Sequence, residues 1–403
     1  MNKTIPVLAA ALLSAALTTH TAAAAGTTPA DITWTTANSV STGNQHNAAV
    51  SAVRNGWTAV AWEDDRDAGD ALHSEVFLRL FKDGVSRYET KLSAGGTGNW
   101  THLHPDVALH DDGTAVVVWA ADGDGNGYYN IAVRAVRTDG TVSGSATANA
   151  SSDGQQLDPA VAADPDSPGF AVVWEDKQDT TAPTVRVAGF ASVTSKTYEA
   201  QVHAAGGTHQ RPDVAVGAAG NAAVVWDEDG DANGSFNVGL KVLTPAGGVK
   251  RAQVVANATT AGQQRHPSVA ANFAGDFAVA WETDHTGTAA TAVRSFTAAG
   301  TAAAGADTVL AGADPQVGID DQRGVAVAWT AGQDVFAQGL NADGTATGRL
   351  PRLAAVKTAT GRQEQPALGV DAWGQLTVAY TDDNDGNGAD QVYLGTGLLN
   401  STW

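Results

Sequence analysis

The chain has 403 residues, with 43 aspartates and glutamates against 23 lysines and arginines, no cysteine, and a formal net charge of −20. Such a charge repels phosphate backbones, so nucleic acid is excluded as an expected partner. With no cysteine there is no disulfide framework, and the fold has to be held by packing alone.

The first 25 residues carry Lys3, the apolar run "IPVLAAALLSAALTT" and the small-residue stretch "TAAAAG". This is the pattern of a secretory signal peptide removed near Ala25, which predicts an exported protein. No later stretch is long and apolar enough to predict a membrane span.

The elements that follow repeat. Trp62, Trp119, Trp174, Trp226, Trp281 and Trp329, then Tyr380, stand 48 to 57 residues apart, each closing an apolar run such as "VVVW" or "AVVW". About ten residues upstream a proline usually opens another apolar run, as in "HPDVAL", "DPAVAA", "RPDVAV", "HPSVAA", "DPQVGI" and "QPALGV". A fixed period of this length marks stacked copies of one supersecondary unit. In the fifth copy "HPSVAA", "DFAVAWE", "TAVRSFT" and "DTVLAG" predict strands a to d, with Asp-Gly turns between c and d in several copies. Phe277, Val279 and Trp281 fall on one side of strand b, Ala278 and Ala280 on the other. Both sides are apolar, as sheets packed face to face require. The expected fold is all-β, a seven-bladed β-propeller filling residues 26–403 as one domain. The seventh copy ends too early for a fourth strand, and "ITWTTANSVSTGNQHNAAV" aligns with a strand d running into strand a. Residues 31–40 are therefore expected to complete blade seven.

Three positions after the aromatic, three copies carry "DGDGNGYYN", "DGDANGSFN" and "DNDGNGADQ". Oxygen-bearing side chains at alternate positions with glycine at the sixth resemble the start of a calcium loop. The candidate metal ligands are Asp122, Asp124, Asn126 and Asn130 in blade two, Asp229, Asp231, Asn233 and Asn237 in blade four, and Asp383, Asp385 and Asn387 in blade seven. The glutamate of a helix-flanked loop is replaced by Val133, Leu240 and Leu394, so short hairpins like those of integrin-type propellers are the nearer pattern. Asn-Gly is also a hairpin turn that needs no metal.

A third cluster stands at the entrance to each strand a: His46, His104, Arg211 and His266 before the proline or its counterpart, taken in blade one as Asn47, and His102 and His209 two residues earlier. Strand a lines the channel of a propeller, so these are expected to ring its mouth as ligand-binding groups. Trp100 falls out of phase with the core tryptophans and, with Tyr128, is expected to stack on a sugar face. The sequence lacks the zinc-protease H-E-x-x-H, the phosphate-binding glycine loop and the G-x-S-x-G elbow, and no catalytic residue is assigned.

The unit "GDFAVAWETDHTGTAATAVRSFTAAG" followed after strand c by a strand d and "QxxP" resembles a repeat of about fifty residues found in secreted bacterial proteins and large surface adhesins. The resemblance spans the chain beyond the leader and implies a propeller in an extracellular setting. By architecture the chain is also similar to seven-bladed bacterial lectins. The expected function is a secreted, lectin-like carbohydrate-binding protein that recognises glycans. A polysaccharide-degrading enzyme and a protein-docking platform are the alternatives.

Overall fold

The computed structural model describes residues 32–66, 73–93, 100–177, 182–347, 350, 352–355, 362–383 and 388–398. The leader expected at residues 1–25, and Asp385 and Asn387, lie outside them. Seven four-stranded antiparallel sheets follow one another, six of them built from four consecutive strands. Blade five shows the unit: strand a Gln264–Ala271, b Phe277–Thr283, c Ala290–Phe296 and d Thr308–Ala311. Among the described residues no helix is long and apolar enough to cross a membrane.

Strand b explains why the sheets stack. Its two sides feed two different apolar clusters, Phe277, Val279 and Trp281 packing toward blade four and Ala278 and Ala280 toward blade six. Seven such clusters fill the seven interfaces between neighbouring blades. The period aromatics, Trp62 to Trp329 and Tyr380, are at most 2% exposed and each fills the interface with the preceding blade. Strand d, at the outer rim, is mainly solvated, as the alternation in Val249–Val255 shows.

The last sheet is closed by the N-terminal segment. Thr33–Thr36 pairs antiparallel with Gln391–Leu398, Thr33 opposite Thr396 and Thr36 opposite Tyr393. Ile32 and Ala37 are buried, and Trp34 meets Tyr380 edge to face at 5.6 Å. The side chain at position 395 has to be absent, because a Cβ there would come within 2.4 Å of the Trp34 ring. Asn38 then locks the join: its amide donates to Gln391 Oε1 and Gln45 Oε1, and its Oδ1 accepts the Val392 N–H.

Strands a line the central bore. At its far end Arg54 of blade one reaches across, bonding Asp111 and Asp166 of blades two and three and lying 4.6 Å over the Phe273 ring of blade five.

Candidate functional site

Each strand a, among them Gln45–Val53, Thr101–Leu109 and Gln264–Ala271, breaks register with strand b at one bulge. One residue there takes a left-handed backbone: Asn47, His104, Asp158, Arg211, His266, Asp314 and Gln365, with φ between 48° and 52°. The next residue is proline in six blades and Ala48 in blade one. Proline has no N–H to lose from the ladder and so suits a bulge. A left-handed non-glycine residue costs about 1 to 3 kcal/mol and persists only where its surroundings hold it.

The holding groups are visible. The amide of His104 donates to Glu63 at 2.7 Å, that of Arg211 to Glu175 at 3.2 Å, that of His266 to Asp227 at 2.8 Å and that of Asp314 to Glu282 at 2.9 Å. Each of these acceptors immediately follows the period tryptophan of the preceding blade, so blades one, three, four and five each anchor the next. In blade one the Asn47 amide donates to Gln365. Sequence reading missed these carboxylates, although the recurring pair Trp-Glu or Trp-Asp was there to find them.

The seven left-handed residues and their prolines line a funnel of about 790 Å³ at the channel mouth. The polar groups on and beside it are paired, His104 across a blade junction and the others within their own blade. His104 Nδ1 lies 2.6 Å from Asp158 and His266 Nδ1 lies 2.7 Å from Glu282. Arg211 is 2.8 Å from Asp227 and Lys177 is 2.7 Å from Glu175. The bond to Asp158 raises the His104 pKa above its ordinary value, and the bond to Glu282 does the same for His266. Glu282 is held below the usual carboxylate range by His266 and the Asp314 amide against the opposing effect of burial. Asp314 is pushed up, by burial first and then by the Glu282 charge. The outer edges of the ring remain open: the side chains of His104, Arg211 and His266 are 40% to 46% exposed.

Deeper in the bore stand Asp106 and Asp213, one residue past the prolines. Asp106 accepts the amides of Val107 and Val161, and Asp213 those of Val214 and Val269. Both remain partly open to the narrow bore while protein surrounds them on every side. Desolvation pushes Asp106 up to about 6 and Asp213 to about 7.

The structure separates the expected ligand-binding residues. His104, Arg211 and His266 come together on the funnel wall. His46 does not share their position: the bulge residue of blade one is Asn47, so the sequence alignment there is displaced by one, and His46 turns to Glu63 at 3.2 Å. His102 and His209 are buried, at 3% and 1% exposure, and cannot face a ligand in this arrangement. His209 stacks on His203 at 3.4 Å between ring centroids and has Glu228 and the Gly206 carbonyl at its two nitrogens. Trp100 packs between His73 of blade one and His102, at 5.0 and 5.5 Å, outside the funnel lining. Tyr128 is exposed and likewise stands outside that lining.

The hairpins of blades two and four have one geometry. Asp122 accepts the amides of Asn126 and Gly127, and Asp229 those of Asn233 and Gly234. Asn126 donates to Asp124 and Asn233 to Asp231, each at 2.8 Å. Asp383 accepts the Gly388 amide in blade seven. Asn130 and Asn237 turn away and accept from Asn149 and Asn257, two residues past the end of the adjoining strand d. Among the described residues no three His, Asp or Glu side chains converge as a metal-ligand set.

No protein-family model and no curated protein sequence matches the chain. Its fold does have solved counterparts. A Dyadobacter fermentans protein of unknown function aligns with a TM-score of 0.52 at 12% identity over 91% of this chain and 98% of its own. The α-L-arabinanase of Penicillium chrysogenum aligns with a TM-score of 0.51 at 12% identity, over 92% and 100%. The polysaccharide lyase Uly1 aligns with a TM-score of 0.53 at 13% identity, over 88% and 90%. At these identities the likeness is one of fold, and the chain is a seven-bladed β-propeller.

Proposed function

We propose that this is an exported, lectin-like carbohydrate-binding propeller that takes a saccharide in the channel-mouth funnel. The observation that carries the reading is the ring itself. Seven strained positions bring amides, imidazoles, carboxyls and a guanidinium to one cavity, mixing donors and acceptors between proline faces. Polyhydroxylated rings need that mixture: a few placed polar groups fix orientation while apolar faces cover the C–H surfaces. Solved counterparts named as an arabinanase and a polysaccharide lyase support a carbohydrate reading. A glycan array followed by calorimetry tests it. Arg211→Ala and His266→Ala are expected to weaken binding at least about tenfold, the loss typical of a truncated contact residue. Absence of binding to every glycan refutes the reading.

A polysaccharide-degrading activity has one observation in its favour: Glu282 and Asp314 are neighbouring carboxyls pushed in opposite directions, the arrangement that separates a base from an acid. Release of new chain ends from a bound polysaccharide, lost in Asp314→Asn, is its test.

Calcium is proposed as a weak ligand of the blade two, four and seven hairpins. Asp122 and Asp229 already accept two amides each, so the affinity expected is that of extracellular modules, about 10⁻⁴ to 10⁻³ M.

A further inference from the structure

The funnel wall is nearly neutralised from within. Arg211, His104 and His266 each have a carboxylate partner at 2.8 Å or less, and beside the wall Lys177 has Glu175 and His46 has Glu63. Asp314 is the exception. It is exposed on the ring, and among the described residues no cation lies within ion-pair distance of it. His266, whose charge acts on Asp314, gives its Nδ1 to Glu282 instead. Glu364, the other carboxylate acting on Asp314, is paired with Arg362 at 2.6 Å. Blades five and six thus present two adjacent carboxyl groups, Glu282 and Asp314, with the His266 imidazole on Glu282 and an open cavity in front of Asp314.

An anionic saccharide entering this funnel meets Asp158 and Asp314 on its lining while His104, Arg211 and His266 are already engaged, which disfavours uronates and sialosides. A saccharide with a free amine meets the reverse. From this juxtaposition of an unmatched carboxyl with a ring of matched ones, we infer that the funnel selects saccharides bearing a protonated amine, docked against Asp314 and Glu282. The inference rests on the saccharide-binding reading above and names its ligand class.

The amine supplies the counter-charge that Asp314 lacks. Burial and the Glu282 charge raise the Asp314 pKa, and an ammonium arriving beside it lowers that pKa again. Binding of the amine is therefore coupled to the protonation of this carboxyl.

The experiment compares a glucosamine oligosaccharide with its N-acetylated counterpart, which has the same sugar skeleton without the charge, at pH 6 by calorimetry in two buffers of different ionisation enthalpy. The expected result is about tenfold tighter binding of the free amine, the effect of one half-screened charge pair. Its apparent heat should depend on the buffer through that coupled protonation. Asp314→Asn should abolish both the preference and the buffer dependence, bringing the two oligosaccharides to equal affinity. Equal affinity of the two oligosaccharides, or tighter binding of a uronate oligomer, overturns the inference and leaves the saccharide-binding reading intact. Failure of all three ligands and of a broad array removes both.

Discussion

Deleting residues 26–40 is expected to open the ring. The segment contributes the buried Ile32 and the half-buried Trp34, worth about 1.5 to 3 kcal/mol each when withdrawn from water. Loss of Asn38 leaves the buried amide of Val392 without its acceptor and Gln45 Oε1 without the Asn38 donor, a further cost of about 1 to 3 kcal/mol. The total, roughly 4 to 9 kcal/mol, is comparable with the whole stability of an ordinary folded domain. It also bares strand c of blade seven, Gln391–Leu398, as an open edge that invites pairing with another chain. Scanning fluorimetry and light scattering of the deletion variant beside the single substitutions Trp34→Ala and Asn38→Ala are the assay. The deletion should aggregate or melt far below the wild type, with the two point variants between them. A deletion variant that stays monomeric and melts within about 2 °C of the wild type would falsify the latch.

The remaining expectations concern ions. Millimolar calcium should raise the melting temperature by mass action on the folded state, and Asp122→Ala, Asp229→Ala, Asp383→Ala combined should remove the response; superimposable melts in calcium and chelator assign the hairpins to their own hydrogen bonds. Desolvation in the bore pushes Asp106 up to about 6 and Asp213 up to about 7, from the 3.8 of an ordinary aspartate. A folded pKa above the unfolded one gives stability that is complete below about pH 4 and lost as pH rises through 6 to 7. Asp106→Ser with Asp213→Ser keeps an acceptor, as Ser268 does for the Val317 amide in blade five, and should flatten the fall in melting temperature between pH 5 and 8. An unchanged pH profile in the double variant refutes the assignment.

Much of the architecture was legible in the sequence because blade packing is a local and periodic demand. A strand buried on both sides has to read as an unbroken apolar run, and an aromatic in phase with it fills the same interface seven times. The early end of the seventh copy exposed the shared blade for the same reason, since a sheet one strand short needs its fourth from elsewhere. The site was legible only in outline. The X-Pro step marked six of the seven bulges, but blade one has Ala48 where the others have proline. Without that marker the alignment slid from Asn47 to His46.

What only the tertiary structure decided is which polar residues face one another. His104 meets Asp158 and Asp314 meets Glu282 across blade junctions, between residues 54 and 32 positions apart in the chain. His102 and His209 occupy the same entrance segment as His104 and Arg211 yet are sealed inside. Along a strand, side chains alternate between its two faces, and a bulge resets that alternation by one residue. Composition and period are blind to that reset; the backbone at φ near +50° determines which side chain enters the funnel and which is buried behind it.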